Sequence, residues 1–280
     1  MVVSRLRSEV RKQLKENGHE ADWIISHATG MSQTDFITNP REVTDDEMRR
    51  INDIITRRNS GEPLQYILGY TEFMGMTFKV NEDTLIPRQD TETLVETVVT
   101  KIGSKKLRVL DIGTGTGCIG ISIAKLCPNT EVTLLDYSDA VLSVAKENAE
   151  LNEVEVEFVR CDILEEIPKG EFDLIVSNPP YIETDTIFSL DNIVSSYEPV
   201  EALDGGFDGL MFYRRIIEEV AKEILTDDGA VVFEIGYTQG EAVSEILREE
   251  DFSGIKVLRD PCGNDRVVTA RLKSGLFLSL

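Results

Sequence analysis

The sequence has few cysteines and histidines and no long uncharged apolar run. Its only histidines, His19 and His27, lie near a predicted helix break, and we interpret them as surface or bundle residues rather than metal ligands. No apolar run approaches the roughly 20 residues of a membrane span. None of the cysteines forms a Cys-x-x-Cys pair, so we expect reduced core thiols in a cytoplasmic protein. The four cysteines are Cys118, Cys127, Cys161 and Cys262.

Positive charge is also scarce. The 280 residues include 29 Lys plus Arg against 51 Asp plus Glu, a net charge of −22. This balance leaves no uniform basic surface, which disfavours tight binding to nucleic acid or to an anionic membrane. The same charge could steer a basic substrate loop toward a cleft. With 41 % hydrophobic residues, the chain can fill the core of one large domain or of two unequal ones.

The apolar spacing changes twice along the chain. Residues 1–62 show helical periodicity, with a capping box at Thr44 and Glu47, and predict a helical domain. Residues 63–88 contain aromatic residues around Gly69 and Gly75 and predict a β-hairpin linker. Residues 89–280 alternate strands and helices, which predicts an α/β domain with a mainly parallel sheet covered on both faces.

Seven strands are predicted in this domain. A short turn joins the last two, so one of them must run antiparallel. The polar stretch 181–208 has no clear periodicity, and long loops of that kind are usually functional. The predicted strands are 107–112, 131–135, 154–160, 172–177, 230–235, 255–259 and 266–272, with helices beginning near Asp90, Gly117, Ser138, Gly209 and Gly240.

A glycine-rich turn joins the first of these strands to a helix. Glycines there allow a tight turn and let a ligand approach the main chain near a helix N-terminus. A strand-to-helix turn that binds no ligand could have the same glycine-rich sequence. The turn reads Asp111-Ile112-Gly113-Thr114-Gly115-Thr116-Gly117.

Acidic residues at the strand ends indicate which ligand the turn would hold. Asp136 could accept both ribose hydroxyls of an adenosine, although alone it could equally cap a helix beside Ser138. NAD and S-adenosylmethionine both carry adenosine, but the turn lacks the two-residue gap of GxGxxG. Asp111 could hold an ammonium group or order water near one, and only S-adenosylmethionine offers an ammonium, so we favour that cofactor. Asp162 and the backbone of Ile163 suit the adenine ring, although an aspartate that only stabilises a turn would give the same sequence pattern.

The motif that decides the chemistry is Asn178-Pro179-Pro180-Tyr181, at the end of an apolar strand. An amide nitrogen is a poor nucleophile, and methylating it requires acceptors that fix both N–H bonds and stabilise the developing positive charge. The Asn178 side-chain oxygen and the Pro179 carbonyl can be those acceptors, and Tyr181 offers a flat face. The motif suits a planar NH2 group, either an amide or a nucleobase.

These motifs resemble the HemK/PrmC class of protein N5-glutamine methyltransferases, which modify bacterial peptide-chain release factors. The resemblance covers nearly the whole chain. The chain departs from the family's usual IPRPETE pattern at Gln89 and Asp90, which predicts a looser segment before the next helix. The further motifs that carry the resemblance are Arg58 to Gly69 with Phe73, Leu85-Ile86-Pro87-Arg88 with Thr91-Glu92, Glu198-Pro199 with Ala202-Leu203, and Asp260 with Asp265-Arg266.

The resemblance implies a class I, Rossmann-like methyltransferase domain that uses S-adenosylmethionine. It also implies a helical N-terminal domain that helps dock the release factor, and the glutamine of a Gly-Gly-Gln loop as substrate. Asn178 to Tyr181 would hold the glutamine amide, with no metal. The residues expected at the cofactor are Asp111, Gly113, Thr114, Gly115, Thr116, Gly117, Asp136, Asp162, Ile163 and Asn178.

Three alternatives stay open at this point. The same pocket could methylate a glutamine of a ribosomal protein. Adenine methyltransferases of DNA share the Asn-Pro-Pro-Tyr motif, although the acidic composition disfavours a nucleic-acid substrate. The chain could also bind the cofactor without turnover, although the intact motif argues against that.

Overall fold

The structure, a computed structural model, describes residues 3–187 and 197–272. The chain forms two compact units. The first runs from the amino terminus to Gly69 and includes Tyr197; the second begins at Tyr70 and contains the other described residues. The hairpin that we expect to link two domains lies within the second unit.

The first unit is helical. Its helix α4 begins with the predicted capping box: the Glu47 N–H donates to the Thr44 hydroxyl, and the Thr44 N–H donates to the Glu47 carboxylate. The buried face of α2 comprises Ala21, Ile24, Ile25 and Ala28, whereas Trp23 falls off that face and is 40 % exposed. The helices are α1 (Val3–Gln13), α2 (Ala21–Thr29), α3 (Asp35–Thr38), α4 (Asp45–Asn59) and α5 (Leu64–Leu68), with a 3-10 turn at Lys15–Glu20.

The second unit begins with the predicted hairpin, β1 (Tyr70–Phe73) and β2 (Met76–Lys79), in which the Phe73 and Phe78 rings pack edge to face. Seven further strands form one sheet in the order β5-β4-β3-β6-β7-β9-β8. Strand β9 is antiparallel to both neighbours, which confirms the predicted reversal. The strands are β3 (Arg108–Ile112), β4 (Glu131–Asp136), β5 (Glu157–Arg160), β6 (Phe172–Ser177), β7 (Leu225–Glu234), β8 (Phe252–Arg259) and β9 (Asp265–Leu272).

Apolar clusters cover both faces of this sheet, as predicted for a class I methyltransferase fold. The flanking helices are α6 (Glu92–Ile102), α7 (Cys118–Leu126), α8 (Asp139–Leu151), α9 (Thr184–Ile187), α10 (Met211–Arg214), α11 (Ala221–Ile224) and α12 (Gly240–Glu249). A π-helical turn at Arg215–Val220 joins α10 to α11. Strand order reverses between β3 and β6, and the carboxyl ends of parallel strands at such a point form a ligand crevice.

The structure differs from the predictions for the cysteines and for the loop 181–208. Cys118, Cys127 and Cys161 are buried free thiols, but Cys262 is exposed because it lies in the short turn between β8 and β9. The stretch predicted as a loop, 181–208, contains α9 and a 3-10 turn at Val200–Ala202, and its residues 188–196 lie outside the described part. Within the described ranges, no helix is long and apolar enough to cross a membrane.

Candidate active site

A cavity of about 160 Å³ opens at the carboxyl ends of β3, β4 and β6, inside the second unit. Most of the residues predicted for the site line it. Asp111, Gly117 and Tyr181 are not among the lining residues. Those that line it are Gly113, Thr114, Gly115, Thr116, Asp136, Asp162, Ile163, Asn178, Pro179 and Pro180.

The glycine-rich turn forms one wall of this cavity. Gly113 and Gly115 have φ of 67° and 55°, a region in which other residues are strained, and no neighbouring atom lies where a side chain would start. Gly117 is required for packing as well, because a β-carbon there would lie 2.7 Å from Cδ1 of Ile121. At Gly113 and Gly115 the turn therefore presents bare main chain to the cavity.

Asp111 lies beneath the turn and is fully buried. Its Oδ2 accepts hydrogen bonds from the Thr114 hydroxyl at 2.6 Å and from the Gly120 N–H at 3.0 Å, and its Oδ1 has no partner. Burial raises the pKa of Asp111 to about 6. The carboxyl thus holds the turn against the start of α7, and its contact with a cofactor ammonium stays a prediction.

Asp136 faces the cavity from the end of β4. Its carboxylate accepts hydrogen bonds from the main-chain N–H groups of Gly115 and Ser138, each at 3.2 Å. Burial raises its pKa, and these N–H groups oppose the rise. The N-cap of α8 is Ser138, whose hydroxyl accepts from the Val141 N–H. Asp136 is therefore not the helix cap, and this favours the ligand-binding interpretation.

Asp162 and Ile163 form the wall that follows β5. Asp162 accepts a hydrogen bond from the Leu164 N–H at 2.9 Å, so it also stabilises its own turn. The Arg215 guanidinium donates to the Ile163 carbonyl from the π-helical segment. Both residues line the cavity, where an adenine ring would have an acidic acceptor and a fixed main chain beside it.

Asn178, Pro179 and Pro180, which follow β6, form another wall of the cavity. The Ser177 hydroxyl donates to the Ile112 carbonyl at 2.7 Å, which ties the end of β6 to β3. Asn178 Nδ2 donates to the Thr91 hydroxyl at 3.4 Å. The Tyr181 carbonyl accepts from Gln239 Nε2 at 2.9 Å, and burial raises the pKa of the Tyr181 phenol to about 12.

Two polar pairings at the site have no local sequence signal. Arg88, which lines the cavity, forms an ion pair with Glu198, whose side chain is only 2 % exposed. Asp90 lies 3.1 Å from the Arg266 guanidinium and belongs to a 3-10 turn at Gln89–Thr91. Within the described ranges, no group of three His, Cys, Asp or Glu side chains could hold a metal ion.

Comparisons with known proteins identify the family of this chain. Residues 5–69 match the family model "PrmC N-terminal domain", and residues 88–195 match "Methyltransferase small domain". A release factor glutamine methyltransferase of Clostridium botulinum is 43 % identical over 258 residues, covering 90 % of this chain and 91 % of the relative. The chain belongs to the release factor glutamine methyltransferase family.

Another member of this methyltransferase family, from Agrobacterium fabrum, is 42 % identical over 262 residues, covering 90 % of this chain and 89 % of the relative. A solved methyltransferase structure from Pyrococcus furiosus covers 82 % of this chain and 99 % of its own, with a TM-score of 0.54 and 19 % identity. The latter comparison supports the methyltransferase fold alone.

Proposed function

We propose that the protein transfers the methyl group of S-adenosylmethionine to the side-chain N5 of the glutamine in the Gly-Gly-Gln motif of peptide-chain release factors. The observation that carries this proposal is the shared cavity: Asn178 and Pro179 face the same space as Asp136 and the glycine-rich turn. A methyl donor and an amide acceptor bound there would lie side by side. Membership of the glutamine methyltransferase family supports the same reaction.

The residues of the cavity fit S-adenosylmethionine. The Asp136 carboxylate suits the two ribose hydroxyls, and Gly113 and Gly115 offer main chain without side-chain obstruction. Asp162 and Ile163 suit the adenine. When bound, the cofactor supplies an electrophilic methyl group. The chain's own contribution is to hold both reactants in one orientation, so that a bimolecular reaction becomes effectively unimolecular.

The Asn-Pro-Pro-Tyr segment would make the amide reactive. As the amide nitrogen gains the methyl group, its lone pair leaves conjugation and positive charge develops on nitrogen. The bond between the methyl group and the sulfonium sulfur would break as the new bond forms, and one N–H proton would then pass to water, because an amide protonated on nitrogen is strongly acidic. Asn178 Oδ1 and the Pro179 carbonyl would each accept one N–H of the glutamine, placing two partial negative charges at that position. The Pro179 carbonyl suits this task because the proline ring fixes φ and stiffens the segment, and because proline has no N–H with which to close a local turn.

The helical first unit would dock the protein substrate. It matches the N-terminal domain of the same family, and the cavity residues all belong to the second unit. Removing the first unit would then raise KM for the release factor more than it raises KM for a short Gly-Gly-Gln peptide.

The test is to supply S-adenosylmethionine labelled in its methyl group together with release factor, ribosomal protein or nucleic acid. We expect acid-stable label in the release factor, resistant to nuclease and recovered as N5-methylglutamine. Label in a ribosomal protein, or label that nuclease removes, would instead support one of the alternative substrates.

A further inference from the structure

The side chain of Gln239 joins three segments of the second unit. Its Nε2 donates to the carbonyls of Tyr181 at 2.9 Å and of Gly209 at 3.2 Å, and its Oε1 accepts from the Gly236 N–H at 2.9 Å. Two carbonyls face Nε2 and one N–H faces Oε1, so only one orientation of the amide satisfies all three partners. The amide thus connects the end of the Asn-Pro-Pro-Tyr segment to the loop before α10 and to the turn after β7.

The main chain of Gln239 is fixed by the start of α12. The Gln239 carbonyl accepts from the Val243 N–H at 3.0 Å, which closes the first turn of the helix. The next residue, Gly240, lies against β8 and β9, because a β-carbon there would be 3.1 Å from Cγ1 of Val257 and 3.2 Å from Oδ2 of Asp265. The side-chain amide therefore extends from a packed element and can hold its partners in one place.

The loop before α10 packs on the same residues from another side. A β-carbon at Gly205 would lie 2.8 Å from the Pro180 carbonyl oxygen and 2.8 Å from Cα of Tyr181. One at Gly209 would lie 2.8 Å from Nε2 of Gln239 and still closer to the Tyr181 carbonyl oxygen. Glycine at both positions therefore lets the main chain of the loop lie directly on the residues that Gln239 holds.

The Asn-Pro-Pro-Tyr segment is thereby fixed at both ends. At its start the Ser177 hydroxyl is bonded to β3, and at its end the Tyr181 carbonyl is bonded to Gln239. Because the two prolines between these points have fixed φ, the direction of the Pro179 carbonyl depends on where the ends are held. We propose that Gln239 is a positioning residue for methyl transfer: by holding the Tyr181 carbonyl, it keeps the Pro179 carbonyl directed at the glutamine N–H. This inference rests on the proposed function of that segment.

The first test is Gln239→Met, which keeps the length of the side chain and removes all three hydrogen bonds. We expect kcat to fall by roughly 10- to 100-fold, because a small displacement of a group that orients the substrate is enough for such a loss. The three partners of the amide do not line the cavity, so the Kd of S-adenosylmethionine, measured by calorimetry, should change by less than about threefold. Glu245→Met, at an exposed position of the same helix, should leave both quantities unchanged.

The second test uses the pH dependence of Gln239→Glu, which has nearly the shape of the wild-type side chain. An ionised carboxylate would face the Tyr181 and Gly209 carbonyls with no proton to donate, whereas the protonated acid can donate to one of them. The kcat of Gln239→Glu relative to the wild type should therefore rise as the pH is lowered from about 8 to about 5.5. The same ratio for Gln239→Met, which gains no proton, should stay constant.

Three results would overturn the inference. They are a wild-type kcat for Gln239→Met, a loss of cofactor affinity as large as the loss of kcat, and a relative kcat of Gln239→Glu that does not change with pH. If Gln239→Met does not fold, the pH profile of Gln239→Glu still tests the inference. Absence of transfer by the wild-type protein would instead count against the proposed function.

Discussion

The Asp136 carboxylate accepts a hydrogen bond from the main-chain N–H of Gly115 at 3.2 Å, which ties the end of β4 to the glycine-rich turn after β3. One side chain thus fixes the shape of the turn and faces the cavity. Cofactor affinity and turn geometry should therefore depend on the same carboxylate.

Asp136→Ala should weaken binding of S-adenosylmethionine by roughly 10- to 100-fold, because a charged acceptor for the ribose hydroxyls is lost. Isothermal titration calorimetry measures this directly. Asp139→Ala is the matched control, since Asp139 lies in the first turn of the following helix and its side chain is 80 % exposed. Equal affinities for the two variants would contradict the assignment of Asp136.

Asn178→Ala should lower kcat by on the order of 100-fold and weaken cofactor binding far less, because the lost oxygen acts mainly on the developing charge of the amide. Steady-state kinetics and cofactor titration on the same preparation separate the two effects. Asn81→Ala, at an exposed asparagine in the turn after β2, is a suitable control. A nearly wild-type rate for Asn178→Ala would contradict the mechanism.

Arg88→Ala should lower the free energy of unfolding by about 1–3 kcal/mol, since Glu198 would stay buried without its partner. Arg88 is itself 42 % exposed, so water would replace part of the lost interaction. Arg259→Ala breaks an ion pair with Asp265 in which the arginine is 72 % exposed, and should cost less than about 0.5 kcal/mol. Urea unfolding of both variants measures the difference. Equal losses of unfolding free energy would show that the burial of Glu198 does not determine how much its ion pair contributes to stability.

Stability should also depend on the titration of Glu234. Its pKa in the folded protein, about 7, lies above the ordinary value of 4.5, so the folded state binds the proton more tightly than the unfolded chain. The stability that this proton provides is complete below about pH 4.5 and is lost as the pH rises through 7.

Glu234→Gln has no such titration, so its stability relative to the wild type should rise between pH 5 and pH 8, by up to roughly 3 kcal/mol. Chemical unfolding at several pH values gives this difference. A difference that does not change with pH would contradict the buried, titrating carboxyl.

The net charge of −22 predicts that salt slows capture of a basic substrate loop. Because mobile ions screen fields over about 10 Å at 0.1 M ionic strength, kcat/KM for the release factor should fall as salt rises, with kcat unchanged. An uncharged Gly-Gly-Gln peptide provides the control. Rates for the release factor that are insensitive to ionic strength would contradict electrostatic steering.

The sequence predicts the sheet well because buried parallel strands are continuous apolar runs. Strand β6 begins and ends at the predicted residues, 172 and 177, and β4 extends only one residue further than predicted. Strand β7 begins at Leu225, five residues before the predicted start at residue 230, and this first part includes the polar segment Thr226-Asp227-Asp228. Polar residues outside the apolar run carry no strand signal, and pairing with neighbouring strands decides their structure.

The site is predictable where its residues follow strand ends in the sequence, and not where distant segments meet. Asp136 and Asn178 follow predicted strands. Arg88 and Glu198 are 110 residues apart, and no local pattern indicates that they pair. For Glu234 a weak signal does exist: it is an acid inside the apolar run Ala230–Ile235, where a charge is unusual.

The measurement that tests the central claim is transfer of labelled methyl from S-adenosylmethionine to purified release factor, alongside a release factor whose Gly-Gly-Gln glutamine is replaced by alanine. We expect label on the wild-type factor and none on the replaced one. Label on neither, with cofactor binding demonstrated in the same preparation, or equal label on both, would contradict the proposed substrate.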